Sequence, residues 1–125
     1  MLRDHASAAI LAVSDIGRAK AFYRDVLGLE PEGEMGGEVA TFRSGGTRLV
    51  IYRSEFAGTN KGNAVVWDVG DDIEAVVAAL KARGAVFEHY PEMGAEFDGA
   101  VHRAGGMRLV WLKDPDGNIL HINDM

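Results

Sequence analysis

The chain has no cysteine. That removes disulfides, thiolate nucleophiles and thiolate metal sites together, and leaves any polar chemistry to histidines and carboxylates. It also lacks a long hydrophobic run: no apolar stretch approaches the ~20 residues of a membrane span. The opening MLRDHASAAILAVSD holds a short apolar segment, but Asp4 and His5 precede it and Asp15 follows. It reads as a buried strand and not as a signal peptide, so a soluble, cytoplasmic protein without membrane partners is expected. Basic clusters are missing too. None of the 13 Lys and Arg residues falls in a run longer than two, and the net charge is -6. Phosphate contacts need clustered cations, which argues against a nucleic-acid partner and mildly favours a neutral or cationic ligand.

What is present is ordinary globular composition, 47% hydrophobic and 26% charged over 125 residues. A chain of this size is one domain, or two tightly joined modules, and can bury roughly two thirds of its unfolded surface. It is organised around SDIGRAKAFYRDVLG, from Ser14 to Gly28, and an echo, DDIEAVVAALKARG, from Asp71 to Gly84. In the first, Ile16, Ala19, Tyr23 and Val26 recur at helical spacing, with Phe22 and Leu27 widening the stripe. Ser14 or Asp15 can cap the start, and Gly28 closes the end. In the second, Ile73, Val76, Val77 and Leu80 form the stripe, Asp71 or Asp72 offers the cap, and Gly84 is the stop. The two copies lie about sixty residues apart, which implies a duplicated module and not a solenoid of many repeats.

Strand signals surround each helix. Residues 6–13 (ASAAILAV) form an apolar run suited to a strand buried on both faces. Residues 29–34 can form a short strand, and 38–43 and 48–53 flank Ser44-Gly45-Gly46 as a hairpin. Residues 55–63 (EFAGTNKGN) are polar and without period, and read as a linker. The second half repeats the order with strands at 64–69 and 85–90. A glycine-rich stretch, 91–106, follows; it reads as a flap with one short strand near 100–103. Strands at 107–113 and 118–123 then close across Asp114-Pro115-Asp116-Gly117, whose residue types suit a type I turn. The predicted fold is α+β: a first βαβββ module at 5–54, the linker at 55–63, and a second βαβββ module at 64–125, within one domain.

Three stretches in order, VSDIGRAKAFYRDVLGLE (13–30), the DDIEAVVAALKARG helix and DPDGNILHI (114–122), resemble the vicinal oxygen chelate superfamily. That group includes glyoxalase I, fosfomycin-resistance proteins, extradiol dioxygenases and bleomycin-resistance proteins. The resemblance implies the glyoxalase/bleomycin resistance fold: curved mixed sheets around a shared cleft, helices outside, and modules paired within one chain or between the two chains of a homodimer. It also implies four positions at which the family's enzymes hold a divalent metal. They fall here on Ala8, on Ala64 (or Val65, allowing for Gly70), on Ile51 or Tyr52, and on His121. Alkyl side chains carry no lone pair, so the family's metal site is not expected, and no cofactor with it.

His121 shares a strand face with Ile119 and Asn123, and under the implied geometry it points into the cleft. It reads either as a general base or ligand contact, or as a satisfied buried histidine. His102 in the flap is a further ligand candidate, with a solvated loop histidine the plainer reading. Asp68 shares a face with Ala64 and Val66 and can be a carboxylate at the rim, with a solvated charge at the strand end the plainer reading. Trp111 is assigned to the cleft, and one of Tyr52 and Arg53 should face it. Trp67 has core parity, and Tyr23 with Phe22 reads as helix-to-sheet packing. Ala8, Ile10, Ala12, Ala64 and Val66 make the cleft small and apolar. The expected function is therefore binding of a modest apolar or aromatic ligand, in the manner of bleomycin-resistance proteins, by a homodimer. A lyase, dioxygenase or isomerase stays open as the alternative, cofactor-free through His121 or with a divalent metal held by His121 and a flap residue.

Overall fold

The computed structural model describes residues 1–90, 96–98 and 100–125, the side chains of 96–98 excepted. In the first half, β1 (Ala9–Val13) leads to α1 (Ile16–Ala21), which continues as a wider turn of π-helix over Phe22–Val26. The strands β2 (Glu30–Met35), β3 (Val39–Ser44) and β4 (Thr47–Arg53) follow. They form a four-stranded sheet in the order β1-β4-β3-β2, with β1 parallel to β4 and the other pairs antiparallel. Asp15 caps the helix, its Oδ1 accepting from Arg18 N–H at 3.0 Å, and Gly28 ends it at φ +73°. Ala19 and Tyr23, from the periodic stripe, are fully buried against Phe42, Leu49 and Ile51.

The second half has β5 (Asn63–Asp68), α2 (Ile73–Ala82), β6 (Phe87–Glu88), β7 (Glu96–Asp98), β8 (Val101–Ala104), β9 (Met107–Lys113) and β10 (Ile119–Asn123). The order is β5-β10-β9-β8-β7, with β6 on β9 beside β8. Both modules share the βαβ start and the closing hairpin, but the second carries more strand than a plain βαβββ unit. The expected flap is the difference. Its later part is a β7–β8 hairpin with β8 laddered onto β9, and Val101 and His102 are buried. Residues 91–95 and 99 of the expected flap lie outside the described residues. The helix cap also differs: a 3-10 turn at Gly70–Asp72 precedes α2, Asp72 makes no side-chain cap bond, and Asp68 Oδ1 instead accepts from Gly70 N–H at 3.1 Å.

The first strand departs from its prediction. Leu11 and Val13 are buried, but Ile10, on the other face, is 65% exposed. A strand buried on both faces needs cover on both sides. Here α1 covers only one, and β1 lies at the sheet edge beside β5 without a ladder between them.

The modules are locked by the Asp114–Gly117 turn. Gly117 N–H donates to Asp114 O at 3.0 Å, and Asp114 Oδ1 accepts from the amides of Asp116 and Asn118, each at 2.9 Å. Its Oδ2 accepts from the Tyr23 hydroxyl at 2.7 Å and from Asn118 Nδ2 at 2.8 Å. Asn118 Nδ2 also reaches Ala12 O at 2.9 Å, and Ser14 Oγ donates to Asp116 Oδ1 at 2.5 Å. Burial first, then the Asp114 carboxylate, raise the pKa of the Tyr23 phenol, so it stays a donor. Tyr23 is thus more than the packing residue its stripe position predicts. Buried polar groups require partners, and these hold the first helix, the first strand and the last hairpin in one arrangement.

Candidate functional site

Strand alternation separates two faces. In β10, Leu120 and Ile122 pack toward the helix side, while His121 and Asn123 lie on the opposite, concave face. His121 sits opposite Trp111 of β9 and Val66 of β5. The two rings stack at 5.0 Å between centroids and 29° between planes. Trp111 also meets His102 edge to face at 4.9 Å and Tyr90 at 5.2 Å. Four rings from β8, β9, β10 and the end of the β6 segment therefore line one side of the concave face.

Both nitrogens of His121 are engaged. Nδ1 lies 3.2 Å from Val110 O, and Nε2 lies 3.2 Å from Asn123 Nδ2. The neutral Nδ1–H tautomer satisfies both contacts, since the carbonyl accepts and the amide donates. Burial lowers the pKa of His121, against an opposing contribution from the Val110 bond. Proton transfer or metal ligation by this ring would first break one of these bonds. His102 is fully buried, unlike the solvated loop histidine expected from its glycine-rich surroundings. Its Nε2 accepts from Tyr90 N–H at 3.1 Å, and burial lowers its pKa, opposed by a backbone bond with Ala100.

Two cavities open on this side. One, of about 370 Å³, lies between Ile10, Ala12, Tyr52, Phe56, Asn63 and Asn118. The other, of about 260 Å³, lies between Lys61, Asn63, Tyr90, Trp111 and Ile119. They share Asn63, so together they run from Tyr52 of the first module to Trp111 of the second. The segment read as a mere linker supplies much of both walls. Gly58 fixes its path: at φ +85°, with a virtual Cβ only 3.3 Å from Asp116 O, the backbone lies against the interlocking turn.

Of the candidates from sequence, His102, Trp111 and His121 come together, and Tyr52 lines the adjoining cavity. Arg53 does not join them. It points to the other face, with Nε 2.8 Å from Glu38 Oε2. Asp68 ends β5 on the concave side beside Val66 in a separate hollow, its carboxylate turned to Gly70. Trp67 has the predicted opposite parity but is only half-buried, with Nε1 donating to Ser44 Oγ at 2.9 Å. Sequence reasoning missed Tyr90 and the linker residues Asn63 and Lys61. An aromatic next to Pro91 carries no periodic signal, and a polar linker reads the same whether or not it covers a cleft.

A sequence model described as the glyoxalase/bleomycin resistance protein/dioxygenase superfamily matches residues 3–122. The chain belongs to this superfamily. No curated protein matches it. Solved structures share the fold. A lactoylglutathione lyase from Agrobacterium tumefaciens is 22% identical at TM-score 0.71, covering 95% of this chain and 92% of that one. A glyoxalase/bleomycin resistance protein/dioxygenase from Alicyclobacillus acidocaldarius is 19% identical at TM-score 0.74, covering 96% and 90%. The fosfomycin resistance protein FosX from Listeria monocytogenes is 16% identical at TM-score 0.71, covering 95% and 91%. At these identities the likeness is one of fold.

The donor set of this superfamily member does not fit the divalent ion implied by the family. Ala8 precedes β1, Ala64 and Val65 lie in β5, and Ile51 is buried in the core, and none of these offers a lone pair; Tyr52, the alternative to Ile51, brings one phenol oxygen. His121 is already bonded through both nitrogens. Among the described residues no group of three or more His, Asp or Glu side chains could hold a metal. A divalent ion needs several N or O donors to replace its lost hydration.

Proposed function

We propose that this superfamily member is a small-molecule-binding protein. It takes a modest apolar or aromatic ligand on the concave face without the family's metal, and it works as a homodimer. The observation that carries the reading is the pair of cavities meeting at Asn63, walled by Tyr52, Tyr90 and Trp111. Ring faces with a few amide groups orient a flat, weakly polar molecule. Among the described residues neither cavity is lined by a carboxylate, so of the neutral and cationic ligands that net charge favours, a neutral one suits the site better. Ile10 and Val66, 65% and 57% exposed on neighbouring edges, are the apolar surface a second copy would cover.

A second reading, a cofactor-free isomerase or lyase, rests on His121, whose Nε2 is held by the side chain of Asn123. The test is a screen of neutral aromatic compounds by thermal shift and tryptophan fluorescence on the wild type, Trp111→Ala and the half-buried Tyr52→Ala. Binding weakened about tenfold or more in both variants supports the cleft. Binding unaffected by either, or no binding across the panel, removes it. His121→Ala separates the two readings: a binder keeps most of its affinity, whereas a proton-transfer enzyme loses ~10²- to 10⁴-fold in rate.

A further inference from the structure

A further cavity, on the helix side of the sheets, is larger than either of the two that meet at Asn63. It measures about 410 Å³ and lies where the modules meet. Leu27 and Leu29 at the end of the first helix form one wall; Val76 and Leu80 of α2 form the other. The floor is Trp67, whose indole is clamped across the modules by its hydrogen bond to Ser44 of the β3–β4 turn. Trp67 and Ile122 lie on the opposite strand face from His121 and Trp111, whereas Arg43, at the β3–β4 end, shares the strand face of Arg48 and Tyr52.

We propose that this cavity binds a small aromatic carboxylate. Its volume lies within the ~300–1,000 Å³ usual for small-molecule sites, and its walls are mainly aliphatic and aromatic. The polar groups at its mouth set the ligand class. Arg43 lines the rim and, like several other exposed arginines, makes no ion pair among the described residues, so its guanidinium is open to a ligand. A guanidinium at the end of an apolar slot suits a planar carboxylate in bidentate geometry, with the ring body against Trp67. Glu30, opposite Arg43 in the β2–β3 register, lines the same rim and opposes an incoming anion. The two rim charges therefore act in opposite directions on one ligand.

The test uses full-length protein labelled with 5-fluorotryptophan, whose two indoles give one ¹⁹F signal for each site. The probe is 1-naphthoate, with 1-naphthalenemethanol as its neutral counterpart. Saturable movement of the Trp67 signal by naphthoate is expected. Arg43→Gln should weaken it about five- to tenfold, and Glu30→Gln should tighten it, while the neutral alcohol is indifferent to both changes. Both side chains are exposed, so the variants keep the fold. Movement of the Trp111 signal alone, no saturable shift at millimolar probe, or equal affinity in Arg43→Gln would overturn the proposal. Each of these results leaves the concave-site reading to be judged on the Trp111 signal.

Discussion

Removing one oxygen atom, by Tyr23→Phe, tests whether the turn at Asp114 makes the two modules one cooperative unit. The Tyr23 hydroxyl donates to Asp114 Oδ2 at 2.7 Å, and both side chains are buried. Hydrogen bonds to a charged group contribute ~1.5–3 kcal/mol, and since Oδ2 retains Asn118 Nδ2, the lower part of that range applies, about 1.5–2 kcal/mol. For a domain of this size that lowers Tm by roughly 5–10 °C. Asp114→Ala removes the acceptor of four bonds and strands the Tyr23 hydroxyl and two amides, at a cost of about 3–5 kcal/mol. The double variant should cost about 1.5 kcal/mol less than the sum, because both single changes break the same bond. Urea unfolding followed by circular dichroism and by tryptophan fluorescence reads the result. Tyr23 lies in the first module, whereas Trp67 and Trp111 both lie in the second. Both probes should therefore move to the same lower midpoint. A fluorescence midpoint that stays in place while the dichroism midpoint falls, or a coupling below about 0.5 kcal/mol, would refute the interlock.

Acidification should destabilise the protein first through His102 and His121. Burial holds both folded-state pKa values below the ordinary 6.5, so above 6.5 each is neutral whether folded or unfolded. Below it the unfolded chain takes up the proton more readily, and stability falls as pH drops toward the folded values. Tm measured between pH 7.5 and 5 should decline, and less steeply in His121→Gln; a flat profile contradicts the buried neutral rings. Replacing both Ile10 and Val66 by Lys places two charges on the exposed apolar stripe. In light scattering the wild type should read as a dimer and this variant as a monomer with unchanged far-ultraviolet dichroism; a variant that stays dimeric sends the interface elsewhere.

Much of the fold was legible because local and tertiary demands agree. The stripe from Ile16 through Ala19 and Tyr23 buries its middle, Gly28 and Gly84 take the left-handed conformation their positions require, and the Asp114–Gly117 turn forms with the expected side-chain bonds. What was not legible depends on neighbours distant in sequence. The residues of 6–13 have the composition of a doubly buried strand, and only the sheet order shows that one face stays open at Ile10. His102 sits among glycines and polar residues, yet pairing of β8 with β9 buries it beside Trp111. At the site, strand parity placed His121 and Trp111 on one face but could not choose between Tyr52 and Arg53; the parallel register of β4 with β1 decides for Tyr52. Residues 58–63 line the cleft through the fold of a segment with no periodicity of its own.

Calorimetric titration of chelator-stripped, tag-free protein with Ni²⁺, Zn²⁺, Mn²⁺ and anaerobic Fe²⁺ bears most directly on the metal-free site. With alkyl groups at three of the family's positions, or a tyrosine at best, and His121 bonded through both nitrogens, no stoichiometric binding is predicted. One ion per chain at micromolar affinity or tighter, lost in His121→Ala, would contradict the account and make metal-dependent chemistry at His121 the leading description of this protein.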